Sequence, residues 1–386
     1  MKSFFKKNDL LYSLNCKIKS YGTKKLYRRI VAHYSTKDII PATNHKIRDV
    51  ENVFYFGGDE HQDKSGFLQG LSHVFNVRYF TQSDGAYGAY SRSDKNCKQL
   101  NSERLLHILA ELELQGFVPD LILMQTWGWR IDVDILRKIK NKYQCLIVNI
   151  GMDDRHSYTI QNDWSEGTYG LIPVLDLVLT SAPECALWFK KEGVNAVYFP
   201  EASHPDFYFP IKNIDKLYDV GFIGAKYGVR ENIVNRLMQE GVDVKCYGNG
   251  WPSGRLPLKD TNLFFNQCRI VLGVGTIGHT EDFYALKLRD FDATMSGAVY
   301  LTHNNPDLHS LFNVGDEVFL AENEEEFVIK CKELLSLSDF QLEKISERTA
   351  EHSKLMHSYE NRFFILKNYL SKGGELSFIN NINIHL

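Results

Sequence analysis

The sequence predicts an α/β chain made of two Rossmann-like, doubly wound domains facing a cleft. Three observations predict it. Short apolar runs alternate with helix-period stretches from residue 50 onward. A segment with three prolines (Pro200, Pro205, Pro210) interrupts that alternation, which then restarts. The chain has 386 residues, 44% hydrophobic and 24% charged. That suits two domains and argues against disorder, collagen-like repeats and coiled coil.

The elements follow in order. Apolar runs at 53–56, 77–80, 121–124, 145–150, 176–180 and 197–199 read as strands, with helices over 103–115, 132–142 and 183–192. Continuous Val/Ile/Leu strands between helices mark a parallel sheet covered on both faces. The stretch 200–217 reads as a linker. Beyond it come strands at 220–223, 242–247, 270–272 and 299–302, with helices at 230–240, 260–267, 287–296 and 324–336. The expected division is a basic extension (1–49), a first Rossmann-like domain (50–212), a second (213–355) and a C-terminal helix (356–386). Ligands of such sheets bind at the carboxyl ends of the strands.

The net charge of −3 is unevenly spread. Residues 1–48 hold nine Lys and three Arg against Asp9 and Asp38, so the leader carries +10 and the rest −13. Ile18, Tyr21, Leu26, Ile30 and Tyr34 recur at near-helical spacing, with Lys17, Lys24, Lys25, Arg28 and Arg29 beside them. A basic amphipathic helix on an anionic membrane surface fits this pattern, as does a helix docked on its own body. The body carries no comparable basic cluster, so no nucleic-acid partner is expected. No apolar run reaches the roughly 20 residues of a membrane span. Charge breaks MKSFFKKNDLLYS too early for a secretory signal. Seven scattered cysteines without a C-x-x-C pair point to a reducing cytoplasm, with peripheral contact at the inner face of the plasma membrane.

The second half carries the donor-side candidates. In Val220-Gly-Phe-Ile-Gly224 a strand ends on glycine, and Lys226 and Arg230 follow at the start of a helix. A helix N-terminus offers free N–H groups and a positive dipole to a phosphate. An ordinary tight turn explains the same residues. Tyr247-Gly248-Asn249-Gly250 ends the next strand in an open turn able to meet the edge of a base. At about 100° per residue, Ala285, Leu288, Phe291 and Met295 form a buried stripe, and Asp292 falls inside it. A carboxylate there needs donors. Ribose hydroxyls would supply two; an internal pair with Arg289 is the alternative. Lys287 and Arg289 flank the stripe, and His279 in the preceding glycine-rich loop is a polar arm toward the sugar or phosphates.

Five segments in order, VGFIGAKYGVR, CYGNGW, LKLRDFDATMSGAVYLT, NNPDLHSLFNVGDEV and HSYENRFFIL, resemble the CgeB-like (spore-maturation type) glycosyltransferases over about residues 217–370. PDLILMQTW, VNIGMDD and FPEASHPDFY match less distinctly. The resemblance implies the GT-B architecture and sugar transfer from a nucleotide-diphosphate donor with no required metal or other cofactor. It places Asp292 where that family usually has a Glu expected to hold the donor ribose. It puts Gly224, Lys226 and Arg230 on the phosphate side and Gly248 to Gly250 on the base side. Tyr284 stands where related enzymes carry a second glutamate.

The first domain should bind the acceptor and supply any base. Asp59 and His61 follow the first strand and Asp153 and Asp154 the fourth, all at the carboxyl edge, within reach of an acceptor hydroxyl if they do not merely cap helices. Trp127 and Trp129 either stack on an acceptor sugar or pack in the core. Two D-x-D triplets, 132–134 and 290–292, invite a metal, but i and i+2 on a helix do not converge. What the resemblance implies is a metal-independent transferase whose second domain (213–355) binds the nucleotide-sugar and whose C-terminal helix (356–386) returns to the first domain; with the basic leader it implies a glycan or lipid-linked acceptor in surface polysaccharide assembly. A catalytically silent nucleotide-sugar-binding protein, a polyol-phosphate transferase and a sugar-nucleotide epimerase are its rivals.

Overall fold

The computed structural model describes residues 9–42, 48–160 and 163–378. Lys2, Lys6, Lys7 and Lys46 of the basic leader lie outside the described residues. The chain divides into two bodies. One holds residues 27–200 with 359–386; the other holds 1–26 with 201–358.

The first body contains a six-stranded sheet in the order β2-β1-β3-β4-β5-β6. Its strands are β1 (Asn52–Phe56), β2 (Asn76–Tyr79), β3 (Leu121–Met124), β4 (Leu146–Gly151), β5 (Leu177–Thr180) and β6 (Ala196–Tyr198). Every pairing is parallel. All four residues of β3 and all six of β4 are buried, as a sheet covered on both faces requires. Helix α1 (Asp9–Ser35) precedes the sheet. Between the strands run α2 (Leu68–Val74), α3 (Cys97–Leu114), α4 (Val133–Tyr143), α5 (Asp154–Ile160) and α6 (Pro183–Lys191). Asp132 caps α4, its Oδ1 accepting from the Asp134 N–H at 2.8 Å. The first D-x-D triplet is thereby accounted for as a helix start.

The second body has a five-stranded parallel sheet in the order β11-β10-β9-β7-β8. These are β7 (Tyr218–Ile223), β8 (Val244–Tyr247), β9 (Cys268–Leu272), β10 (Val299–His303) and β11 (Val318–Ala321). Around it lie α7 (Arg230–Gln239), α8 (Leu258–Gln267), α9 (Leu288–Met295), α10 (Glu324–Leu335) and α11 (Asp339–Met356). Helix α12 (Tyr359–Lys372) rejoins the first body, where Tyr359 and Phe363 meet Phe67 edge-on at 5.2 and 5.0 Å.

Two regions differ from the sequence expectation. The division falls at Pro200, and the proline-rich stretch after it is packed into the second body. Ser203 is fully buried, and the Phe209 and Ile211 N–H groups donate to Asn262 and Asn266 of α8 at 3.0 and 2.8 Å. Polar asparagines on one helix satisfy this segment's backbone, which is why it lacks periodicity yet is not loose. The basic leader is a helix docked on its own body, the second of its two expected forms, but its apolar stripe is only partly buried. Tyr34 is 1% exposed, stacks on Trp188 at 5.2 Å and lies 5.1 Å from the Lys37 ammonium. Of the expected apolar stripe, Ile30 and Tyr34 are buried, whereas Ile18 and Tyr21 are 62% and 69% exposed.

Candidate functional site

At the carboxyl edge of the second sheet, three chain turns meet. The Gly224 N–H donates to the Tyr247 carbonyl at 2.8 Å, and the Lys226 N–H donates to the Asn249 carbonyl at 2.8 Å. The Trp251 indole N–H caps the Gly224 carbonyl at 2.8 Å. Gly248 sits at φ +133, and a Cβ there would lie 2.2 Å from the Gly224 oxygen, so only glycine allows the two turns to close. The third turn, after β9, joins them where Gly228 approaches the Gly278 carbonyl.

Two guanidiniums converge on this edge. Arg230, on the first turn of α7, is 4% exposed; it donates to the Ala225 carbonyl at 2.8 Å and the Val274 carbonyl at 3.2 Å. Arg289, on α9, donates to the Ile223 carbonyl and to the same Val274 carbonyl at 3.4 Å. Among the described residues neither makes an ion pair with a carboxylate, and both Nε atoms are buried without an acceptor. Burial, then the neighbouring Arg289 charge, push the Arg230 pKa down to about 10. Nearby, His303 at the end of β10 is 3% exposed with Nδ1 unsatisfied, and burial drives its pKa down to about 3. The buried Thr276 hydroxyl is also unpartnered. Two adjoining positive charges, one of them buried, are costly unless an anion joins them. Helix starts at Arg230 and Leu288 add the same sign of field.

The other donor-side candidates are placed as follows. Lys226 pairs with Glu231 at 2.6 Å and lies 5.1 Å from the Trp251 ring. His279 meets Tyr227 edge-on at 5.8 Å, and the Arg230 guanidinium lies 4.0 Å from that same Tyr227 ring. Tyr247 packs edge-on against Phe264 at 5.0 Å. Lys287 precedes α9, its backbone N–H held by the Asp290 carboxylate at 2.7 Å. Asp290 also accepts from the buried Tyr300 hydroxyl. Asp292 is 6% exposed, as its place in the stripe predicts. Its protein donors are two hydroxyls rather than Arg289. The Ser203 hydroxyl donates at 2.7 Å and the Tyr208 hydroxyl assists, while burial raises the carboxyl pKa to about 8. Arg289 points instead to the Gly224 turn.

In the first body, Asp59 caps a short helix (Glu60–Gln62), accepting from the His61 and Gln62 N–H groups at 3.1 and 3.2 Å. The His61 side chain is exposed. The Asp153 carbonyl accepts from Ser157 N–H at 2.8 Å. Asp154 is 1% exposed beside Thr168 and Thr180, and burial raises its pKa to about 6.

Sequence reasoning missed Asp63. It is 1% exposed, in a π-type turn (Asp63–Phe67), and accepts from Tyr55 at 2.9 Å and Tyr87 at 2.8 Å. Burial raises its pKa to about 6 against those two bonds. No local signal marks it: its two partners lie 8 and 24 residues away, and Ser65 and Gly66 break the helical period between Asp63 and Leu71. No group of three His, Cys, Asp or Glu arranged to hold a metal occurs among the described residues.

This architecture is the GT-B fold. Over 84% of the chain it superposes on the whole of sucrose-phosphate synthase from Thermosynechococcus elongatus, with a TM-score of 0.58 at 9% identity. The Anabaena protein HepE, solved with UDP and glucose, gives 0.57 at 11% identity over 84% of this chain and all of its own. A UDP-N-acetylglucosamine 2-epimerase-type protein from Listeria monocytogenes gives 0.53 at 11% over 87% of this chain and all of its own. Residues 230–368 match the family model described as glycosyl transferase-like. No curated protein sequence matches the chain.

Proposed function

We propose that the chain is a glycosyltransferase that takes a sugar from a nucleotide-diphosphate donor. The observation that carries this reading is the pair of guanidiniums, buried Arg230 and half-buried Arg289, lodged without ion-paired carboxylates between two helix starts. A diphosphate supplies the missing negative charge. In transfer it is also the leaving group, so the same pair stabilises the charge that develops as the glycosidic bond breaks. They would do so without a divalent cation. Gly224 and Gly248 to Gly250 lie against the phosphates and base. The family match supports transfer over the rival activities. The CgeB-like subfamily, with a glycan or lipid-linked acceptor in polysaccharide assembly, is the finer form of the proposal.

The test is a calorimetric panel of UDP, ADP, GDP and their sugar conjugates on the full chain. At least one nucleotide should bind, and R230Q/R289Q should abolish it. Binding that survives the double substitution sinks the reading. Donor turnover then separates an enzyme from a silent binder, and product analysis separates transferase from epimerase.

Association with an anionic membrane surface belongs to the same proposal. Lys17, Lys25 and Arg28 are exposed on α1 together with Leu14, Ile18 and Tyr21. Among the described residues, no helix is long and apolar enough to cross a membrane. Because Tyr34 is core, the test is charge reversal at Lys17, Lys25 and Arg28 rather than truncation. Unchanged partitioning onto vesicles containing phosphatidylglycerol rejects the idea.

A further inference from the structure

The first body carries a buried cation that the donor site does not use. Arg130 follows β3 in Gln125-Thr-Trp-Gly-Trp-Arg130 and is 8% exposed. Its guanidinium carbon lies 5.1 Å from the Trp127 ring centre and 4.8 Å from that of Trp129, and the two indoles stack within 10° of parallel. The loop is fixed from behind, the Gly128 N–H donating to the Gly167 carbonyl at 3.0 Å. The other arginines at least half-buried here give their N–H groups to oxygen: Arg155 grips Glu184 at 2.6 Å, and Arg230, Arg289 and Arg362 hold carbonyls. The Arg130 guanidinium donates to no group among the described residues, and its Nε is buried and unsatisfied. Of the nearby carboxylates, Asp63 is turned to Tyr55 and Tyr87 and Asp59 to the His61 and Gln62 N–H groups, and neither makes an ion pair with it.

What lies against the fork is bare backbone. Gly58, at the end of β1, approaches so closely that a Cβ would fall 2.3 Å from Arg130 Nη1. The position is the carboxyl edge of the sheet, where ligands of parallel α/β domains sit. A guanidinium presents five donors in a planar fork that matches carboxylate or phosphate, and an indole face suits the apolar face of a sugar ring.

We propose that Arg130, with Trp127 and the Gly57-Gly58 turn, binds the anionic group of an acidic saccharide, a uronate carboxylate or a sugar phosphate. This rests on the reading of the first body as the acceptor domain. Arg130 is a binding and specificity residue that selects charged over neutral acceptors.

The experiment uses the full chain and three probes: glucuronate, inorganic phosphate and glucose. Tryptophan fluorescence reports on Trp127 and Trp129. To exclude anions at the second sheet, titrations are repeated in R230Q/R289Q. Glucuronate, phosphate or both should shift the signal in both backgrounds, and whichever saturates identifies the carboxylate or phosphate form. R130M should weaken that probe about tenfold or more, with a melting temperature no lower than wild type, because it removes a charge with no internal partner. Should R130M fail to fold, R130K keeps the charge but loses the fork and should still weaken binding. Unchanged affinity in either variant overturns the proposal, and so does a response to glucose equal to that to glucuronate. A silent titration overturns it as well. Nucleotide binding on the same samples depends on Arg230 and Arg289, so loss of the transferase reading would register separately.

Discussion

The two sheet edges solve one electrostatic problem in opposite ways. At the second, Arg230 and Arg289 are each tied to main-chain carbonyls, and both share that of Val274. Their direction is set before any ligand arrives. At the first, Arg130 is held through the faces of two indoles and donates to no described protein group. Carbonyl anchoring aims a guanidinium; aromatic stacking holds its plane but leaves its edge uncommitted. The first arrangement suits an anion of fixed geometry such as a diphosphate, and the second an anion that varies between acceptors.

The largest effect expected from breaking this contrast is on nucleotide affinity. R289Q removes a charge and frees the Ile223 carbonyl. A charge-assisted contact is worth about 1.5–3 kcal/mol, which is about 10- to 100-fold in Kd by calorimetry. R130M should leave that Kd within about twofold. Equal losses in the two variants would erase the distinction between the edges.

How much of this was legible beforehand follows the same division. The strands of both sheets are continuous apolar runs, so they show in the sequence, and 121–124 coincides with β3 to the residue. Helix α11 was missed because its buried positions, Leu342, Thr349, Ala350 and Ser353, are half polar. Arg230 was singled out because it opens a helix after a glycine-ended strand, and Arg289 because it flanks the buried stripe of its own helix. The partner of Asp292 was not. Ser203 lies 89 positions away, in a segment without periodicity. Long-range polar pairs leave no local pattern, and Asp63, whose second tyrosine is 24 residues on, escaped for the same reason.

A smaller effect distinguishes the buried carboxylates by pH. Burial raises Asp63 to about 6 and Asp292 to about 8. Each is above its unfolded value near 3.9, so the folded chain keeps the proton longer. That preference favours folding at low pH and is lost as pH rises toward the folded value. D63N should therefore gain on wild type between about pH 4 and 6, whereas D292N should keep gaining to about pH 8. The gain is on the order of 1–3 kcal/mol, read as a shift in melting temperature. A pH-independent gap for D292N would mean that its carboxyl titrates normally.

The smallest effect concerns Lys226. Its ammonium is held by Glu231 at 2.6 Å, with side chains 28% and 44% exposed. An exposed pair of this kind contributes about 0–1 kcal/mol, so breaking it hardly touches stability. It does change where the charge is available. The Lys226 N–H is fixed to the Asn249 carbonyl, so the residue stays at the closed turn whatever its side chain does. E231Q releases the ammonium toward the diphosphate and should tighten nucleotide binding about twofold at low ionic strength, fading as salt screens the charge. K226A should weaken binding by a similar factor with the same salt dependence. If E231Q instead weakens it, Glu231 orients Lys226 rather than competing for it, and the donor edge holds a third pre-aimed cation beside its two arginines.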